Sequence, residues 1–200
     1  MTLFFVIVTS LISIVAFNKP ELMSRFQFNP YQVYHKKQWY RLLSHGFVHA
    51  DWMHLIINMF VLFSLGPHVE TFFDRLFENS KIYFLILYIG AILISSLATL
   101  KKHKDDPWYN SVGASGAVSA IIFAGIFLTP LKKLYLYGII GIPGIICGIL
   151  YLIYSSYMSR RNRDNINHDA HFVGAVFGFF FPLILDFKLL SSFINQLLNF

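Results

Sequence analysis

Residues 112–130 read VGASGAVSAIIFAGIFLTP, from Val112 to Pro130. No residue between Val112 and Thr129 is charged, and Pro130 ends the run. A segment that crosses hydrocarbon must satisfy its own backbone hydrogen bonds, and about 20 apolar helical residues suffice for the crossing. The run therefore reads as a membrane helix. Its small residues say how that helix packs: Gly116, Ala120 and Ala124 recur every four positions. Such a stripe lies on one face and lets a second backbone approach closely. Ser115 stands beside the stripe at the opening of the run, a hydroxyl in surroundings where polar groups are costly and mark function.

The partner for this stripe lies further along the chain. In the run 170–185, Ala170, Gly174 and Gly178 repeat the same spacing, and His171 adjoins them. Parallel packing of the two runs brings the Ser115 hydroxyl and the His171 imidazole together. Four more apolar runs complete the set: Leu3–Phe17, Met53–Leu65 ended by Gly66-Pro67, Ile82–Leu100 ended by lysines, and Leu134–Tyr157 interrupted by Pro143. The expected fold is an all-α membrane protein. Its six transmembrane helices, at about 3–17, 53–65, 82–100, 112–129, 134–157 and 170–185, pack around a polar cavity in a single domain over 1–200.

Composition agrees. Of 200 residues 56% are hydrophobic and 13% charged, about half the charged share of a soluble domain. Mean hydropathy is +0.58. The net charge of +6 is carried by short clusters between apolar runs, such as Lys36-Lys37, Lys101-Lys102, Lys132-Lys133 and Arg160-Arg161. That is the pattern of anchors at a lipid surface, not of a nucleic-acid partner. The first run lacks a charged n-region and a small-residue cleavage site, so it reads as a retained helix. Residues 18–44, with Tyr31, Tyr34, Trp39, Tyr40 and several bases, read as a loop lying in the membrane interface. Cys147 sits alone in an apolar run, which excludes a disulfide framework.

Polar residues inside the runs gather at three places. The second opens with His45-x3-His49-x4-His54-x3-Asn58, the fourth with Gly113-Ala114-Ser115-Gly116, and the sixth with His168-Asp169-Ala170-His171. These three runs are parallel to one another, so their first turns lie at similar depth on one side. A serine hydroxyl becomes a nucleophile only when a base takes its proton, and an imidazole suits that task. An oxyanion formed on attack needs donors. His54 and Asn58, one turn apart on one face, and the Ser115 amide at a helix start supply candidates. Each feature alone has a plainer reading. Gly-x-Ser-Gly in an apolar helix is packing, a lone Asn58 an interhelical hydrogen bond, His45 and His49 elements of loop order, and Arg41 and Glu70 structural ions. Their coincidence at one depth favours catalysis.

The combined pattern resembles the rhomboid family of intramembrane serine proteases in its minimal six-helix form. It runs from Trp39 and Arg41 through His45, His49, His54 and Asn58 to Gly113-x-Ser115-Gly116 and Ala170-His171-x2-Gly174-x3-Gly178. The resemblance covers about residues 3–185. It implies a Ser115–His171 dyad without an acidic third member, oxyanion stabilisation by His54, Asn58 and the Ser115 amide, and no cofactor or metal. It implies transmembrane protein substrates that enter from the lipid bilayer near the fifth run. It also implies a multi-pass cell-membrane protein whose active site faces the extracytoplasmic side. The charges point the other way. Eleven of the sixteen Lys and Arg lie in the three loops on that side, and the positive-inside rule makes such loops cytoplasmic. Five of the eleven belong to the interfacial segment, where the rule is weakest, and the family orientation is adopted. One departure stands out: many relatives pack the catalytic imidazole on an aromatic residue four after the serine, and here that residue is Ser119. Asp169, next to but one before His171, points elsewhere on the helix and is not assigned as a triad acid.

Two other functions compete. Eight histidines could build a metal-dependent membrane enzyme, but no His-Glu-x-x-His occurs. A non-catalytic relative that only binds membrane helices would typically lack the serine or the histidine, and both are present.

Overall fold

The computed structural model describes residues 1–136, 139–161 and 166–198. In chain order the elements are α1 (Thr2–Phe17), α2 (Pro20–Phe26), α3 (Pro30–Lys36), α4 (Arg41–Ser44), a 3-10 turn (His45–Phe47), α5 (Trp52–Leu76), α6 (Ser80–His103) and α7 (Ser115–Leu128). A hairpin of β1 (Lys133–Leu136) and β2 (Ile140–Pro143) follows, then α8 (Gly144–Arg161), α9 (His168–Leu185) and α10 (Leu189–Leu198). The protein is thus an all-α membrane protein with one short hairpin. By length and composition α5, α6 and α9 can each cross a bilayer, while α1, α7 and α10 are apolar and shorter. Each of the six apolar runs contributes a helix.

α7 is the hub. Its buried residues run from Gly116 to Leu128 around every side, so it touches lipid little and protein almost everywhere. Its most extensive contact is with α9, and the small-residue stripes explain why. A Cβ added at Gly174 would strike the backbone of Gly116, and one at Gly178 the backbone of Ala120. On the far side, Leu62, Val69 and Phe73 of α5 and Phe84, Leu87 and Tyr88 of α6 complete the core. Phe5 of α1 stacks on Tyr88 with ring centroids 3.9 Å apart. Large apolar side chains such as Ile7, Leu11, Ile57, Phe60, Ile86 and Ile153 point outward, the inverse of a soluble surface and the natural face for lipid.

Three expectations are corrected. The second run does not stop at Gly66-Pro67, because α5 continues to Leu76. Proline removes one backbone donor, but Val69 and Phe73 beyond it are fully buried. Glu70 also accepts the Thr2 amide and pairs with the Met1 amino group at 2.6 Å, while Gly66 leaves room for the Thr2 side chain. The fifth run is not helical from Leu134: Lys133–Leu136 pairs antiparallel with Ile140–Pro143, and the helix starts only at Gly144. Tyr135, Ile140 and Ile142 favour a strand, and Pro143 ends it where no donor is required. The Gly144 amide donates to the Lys132 carbonyl and the Ile145 amide to Pro130, both at 2.9 Å.

The interfacial segment is the third correction. It forms three short helices instead of a loop, two of them opened by Pro20 and Pro30 at the first helical turn. Arg41 staples them: its guanidinium donates to the Ser24 and Gln27 carbonyls at 2.8 and 2.7 Å and to Gln38 Oε1 at 2.6 Å. Phe28 and Ser111 exchange two backbone hydrogen bonds of 2.9 Å, which fastens this segment to the loop before α7.

Candidate active site

Ser115 is the first residue of α7, and the turn before it is built to a tight specification. Gly113 has φ +118°, a left-handed conformation open to glycine at little cost. A Cβ there would also lie 2.6 Å from Cε1 of His54. The Gly113 amide donates to the His45 carbonyl at 2.9 Å, and the Ala114 amide donates to His49 Nε2 at 3.3 Å. Since Nε2 accepts, the ring hydrogen of His49 sits on Nδ1 and donates to Ser13 Oγ at 3.0 Å. The Ser13 hydroxyl passes the chain on to the Phe47 carbonyl at 3.0 Å.

Both supporting histidines are neutral rings. Burial lowers the pKa of His45 to about 4, and a hydrogen bond with the Leu42 backbone only partly opposes this. Burial, reinforced by the neighbouring His54, lowers that of His49 to about 3. His45 Nε2 meets Ser96 Oγ at 2.7 Å, which ties the turn to α6. The residues read in the sequence as ordering a loop therefore order the one loop that aims Ser115.

His171 comes from the first turn of α9, and its Nε2 lies 2.6 Å from Ser115 Oγ. Asn167 caps that helix, accepting the Ala170 amide at 3.0 Å while donating to Thr99 Oγ1 of α6 at 3.0 Å. His168, one turn before His171, meets it edge to face with ring centroids 5.8 Å apart. Tyr154 of α8 meets His168 in turn at 5.7 Å. A histidine of its own helix thus flanks the imidazole. Ser119 instead shares a hydrogen bond of 2.8 Å with Tyr151 of α8. Asp169 faces away from the pair, bound to Lys102 Nζ at 2.7 Å and to the Ser159 hydroxyl.

The other named residues gather around the same turn. The His54 ring lies against Gly113 and edge to face with His49 at 4.9 Å. Its helix is started by Asp51, whose carboxylate accepts the His54 amide at 2.8 Å. Asn58 is buried and donates one amide hydrogen to the His54 carbonyl at 2.8 Å. Asn167 was legible as a capping residue just before an apolar run. His168 was visible only as a member of the polar cluster that opens the sixth run, and Tyr151 carried no sequence signal, because their contacts depend on which helices meet.

A family model described as Rhomboid domain matches residues 36–186. The chain is 28% identical over 174 residues to RHOMBOID-like protein 12, mitochondrial, of Arabidopsis thaliana, covering 80% of this chain and 50% of that protein. It is 28% identical over 162 residues to Rhomboid protease GluP of Bacillus subtilis (strain 168), covering 81% of this chain and 29% of that protein. With Putative rhomboid protease YdcA of the same bacterium the identity is 30% over 142 residues, covering 71% and 65% respectively. The chain spans less than two thirds of the length of each of these relatives.

Proposed function

The chain belongs to the rhomboid family, and from that premise we propose that it is an intramembrane serine endopeptidase cleaving transmembrane helices of single-span proteins. The observation that carries this reading is the 2.6 Å approach of His171 Nε2 to Ser115 Oγ at the head of two tightly packed membrane helices. In the proposed reaction the Ser115 hydroxyl donates its proton to Nε2 as the oxygen attacks the scissile carbonyl. The imidazolium then returns that proton to the leaving amine. The acyl-enzyme is released when His171 activates a water in the same way. The oxyanion is held by the Ser115 amide, free of intrahelical partners in the first turn of α7, together with the side chains of His54 and Asn58. No acidic third residue is assigned: His168 flanks the imidazole, and Tyr154 stands behind His168.

The six helices are read as six crossings, with the dyad on the extracytoplasmic side of the cell membrane. A reporter fused near Lys104 tests that assignment: a cytoplasmic signal overturns it. The function itself is tested by cleavage of single-span proteins in proteoliposomes, with product ends mapped by mass spectrometry. Cleavage inside the membrane segment, absent in Ser115→Ala, is the expected result. Undiminished cleavage by Ser115→Ala sinks the serine mechanism.

A further inference from the structure

At the end of α7 remote from Ser115, a narrow cleft opens between α5, α7 and the base of the hairpin. Its walls are apolar, formed largely by Leu65, Ile121, Ile122 and Ile126, and its mouth is polar, formed by His68, Thr129 and Lys132. The mouth is a directed chain of hydrogen bonds. The Lys132 ammonium can only donate, so His68 Nδ1 accepts at 3.3 Å. His68 Nε2 then donates to Thr129 Oγ1 at 3.1 Å, and that hydroxyl donates to the Gly125 carbonyl at 3.0 Å. The ammonium retains two further hydrogens.

The plain role for Lys132 is to neutralise the carbonyl end of α7, but that end is already provided for. Gln196 of α10 donates to the Leu128 carbonyl at 3.2 Å. The Thr129 amide donates to Gly125, Ile145 to Pro130 and Gly144 to Lys132, each at 2.9 Å. Nor is there a carboxylate: the ion pairs among the described residues are Met1–Glu70, His35–Asp105 and Lys102–Asp169. A cation is thus held in place at the rim of an apolar slot, on a backbone fixed by the hairpin, with its counter-charge missing from the described chain.

We propose that this cleft binds one anionic phospholipid, with its phosphate on Lys132 and an acyl chain along the α5–α7 slot. An ammonium where apolar helices end matches a headgroup phosphate in charge, and the slot matches the chain in polarity. The lipid would belong to the leaflet opposite the dyad, and the proposal stands independently of the catalytic reading.

The test is native mass spectrometry of the full chain in detergent, titrated with phosphatidylglycerol or phosphatidylcholine of identical chains. Wild type should retain one phosphatidylglycerol with about fivefold preference over phosphatidylcholine, the weight of a single lysine. Lys132→Gln should bring the ratio to about one, Lys132→Arg should keep it, and Lys133→Gln, on the neighbouring residue outside the cleft lining, should leave it unchanged. Gly125→Leu should weaken both lipids by filling the slot. Its Cβ would meet Val69 Cγ2 at 3.6 Å, an ordinary contact, and matching thermal melts check that the variants are folded. Three results overturn the proposal: an undiminished preference in Lys132→Gln, an equal loss in Lys133→Gln, or displacement of the lipid by millimolar inorganic phosphate. The first two mean that the preference comes from the general positive field, and the last that a free anion is the ligand.

Discussion

Gly174 lies directly against the backbone of Gly116, with no room between them for a methyl group. Gly116 follows Ser115 in the chain, and Gly174 is one helical turn past His171. The distance between hydroxyl and imidazole is therefore set by a backbone-to-backbone contact within one helical turn of both. Overpacking of a close contact costs about 1–3 kcal/mol when neighbours can shift, and here the neighbour is main chain. Gly174→Val should push α9 off α7, lower the melting temperature and abolish labelling of Ser115 by a fluorophosphonate. Gly125→Ala is the control, since its Cβ would make only ordinary contacts with Val69 and His68. Equal labelling of Gly174→Val and wild type would show that the stripe does not set the dyad.

The dyad itself should behave as one unit. Ser115→Ala removes one oxygen and should leave the fold intact while eliminating turnover, and His171→Ala leaves the hydroxyl without a base. The double mutant should be little slower than either single mutant. His54→Ala and Asn58→Ala should each lower kcat by about 100–1,000-fold, the loss expected for one oxyanion donor. Additive losses in the double mutant, measured in proteoliposomes, would mean that the two residues act in separate steps.

Stability should fall in mild acid through the turn that aims Ser115. His45 and His49 have folded pKa values of about 4 and about 3, against 6.5 unfolded. The unfolded chain therefore binds more protons below pH 6.5, so stability is fully present above that pH and declines as pH falls toward the folded values. Each unit of difference is worth about 1.4 kcal/mol, so both rings contribute to the acid limb in the same direction. Thermal melts between neutral pH and pH 4 should show a steep loss. In His49→Gln the neutral melting temperature drops, because the Ala114 amide loses a well-placed acceptor, but the acid slope becomes shallower. An unchanged slope would mean that His49 is not the neutral, buried ring described.

The parts of this arrangement that the sequence revealed are those set by local pattern. Six apolar runs gave six helices, and two small-residue stripes located the α7–α9 contact before any coordinates. What it concealed depends on partners. Gly66-Pro67 looks like a helix end, yet α5 passes through it because Val69 and Phe73 find a core on the other side. The fifth run is as apolar at its start as a membrane helix, and only pairing across the hairpin makes Lys133–Leu136 and Ile140–Pro143 strands. α10 lies beyond the last run and docks through Phe193, which stacks on Phe127 at 4.9 Å. In the site, Ser115 and His171 were visible because polar residues are rare in such runs. The network Ala114–His49–Ser13–Phe47 was not, because it joins three segments with no shared periodicity.

His168 should matter to rate more than to binding. It is buried and meets the His171 ring edge to face, while position 119 supplies a hydroxyl engaged with Tyr151. An edge-to-face ring contact is worth about 0.5–1.5 kcal/mol, enough to bias the imidazole toward the serine. His168→Ala should lower kcat about threefold to tenfold with KM unchanged. His168→Phe, which keeps a ring in place, should recover most of the loss. A rise in KM without a fall in kcat would place His168 in substrate binding instead.

Substrates should be cut only where their helix opens. In an intact helix each carbonyl accepts an amide four residues on, and side chains surround the backbone. The serine oxygen must reach that carbonyl from the side, and the oxyanion donors must reach it as well. Both demands conflict with the intrahelical bond, so the substrate must first give up local helix. In the hydrocarbon the freed backbone groups find no water, and opening is favourable only where the polar site receives them. Glycine and proline near the scissile bond reduce that cost, one through backbone freedom and the other by deleting a donor. A single-span substrate with a Gly-Pro pair near the depth of Ser115 should therefore be cleaved faster than one with a uniform leucine helix. The effect should appear chiefly in kcat, because docking of the intact helix precedes unwinding. Equal cleavage of the two helices in the same vesicles would show that the enzyme does not depend on substrate unwinding, and would require α7 and α9 to present Ser115 to a closed helix.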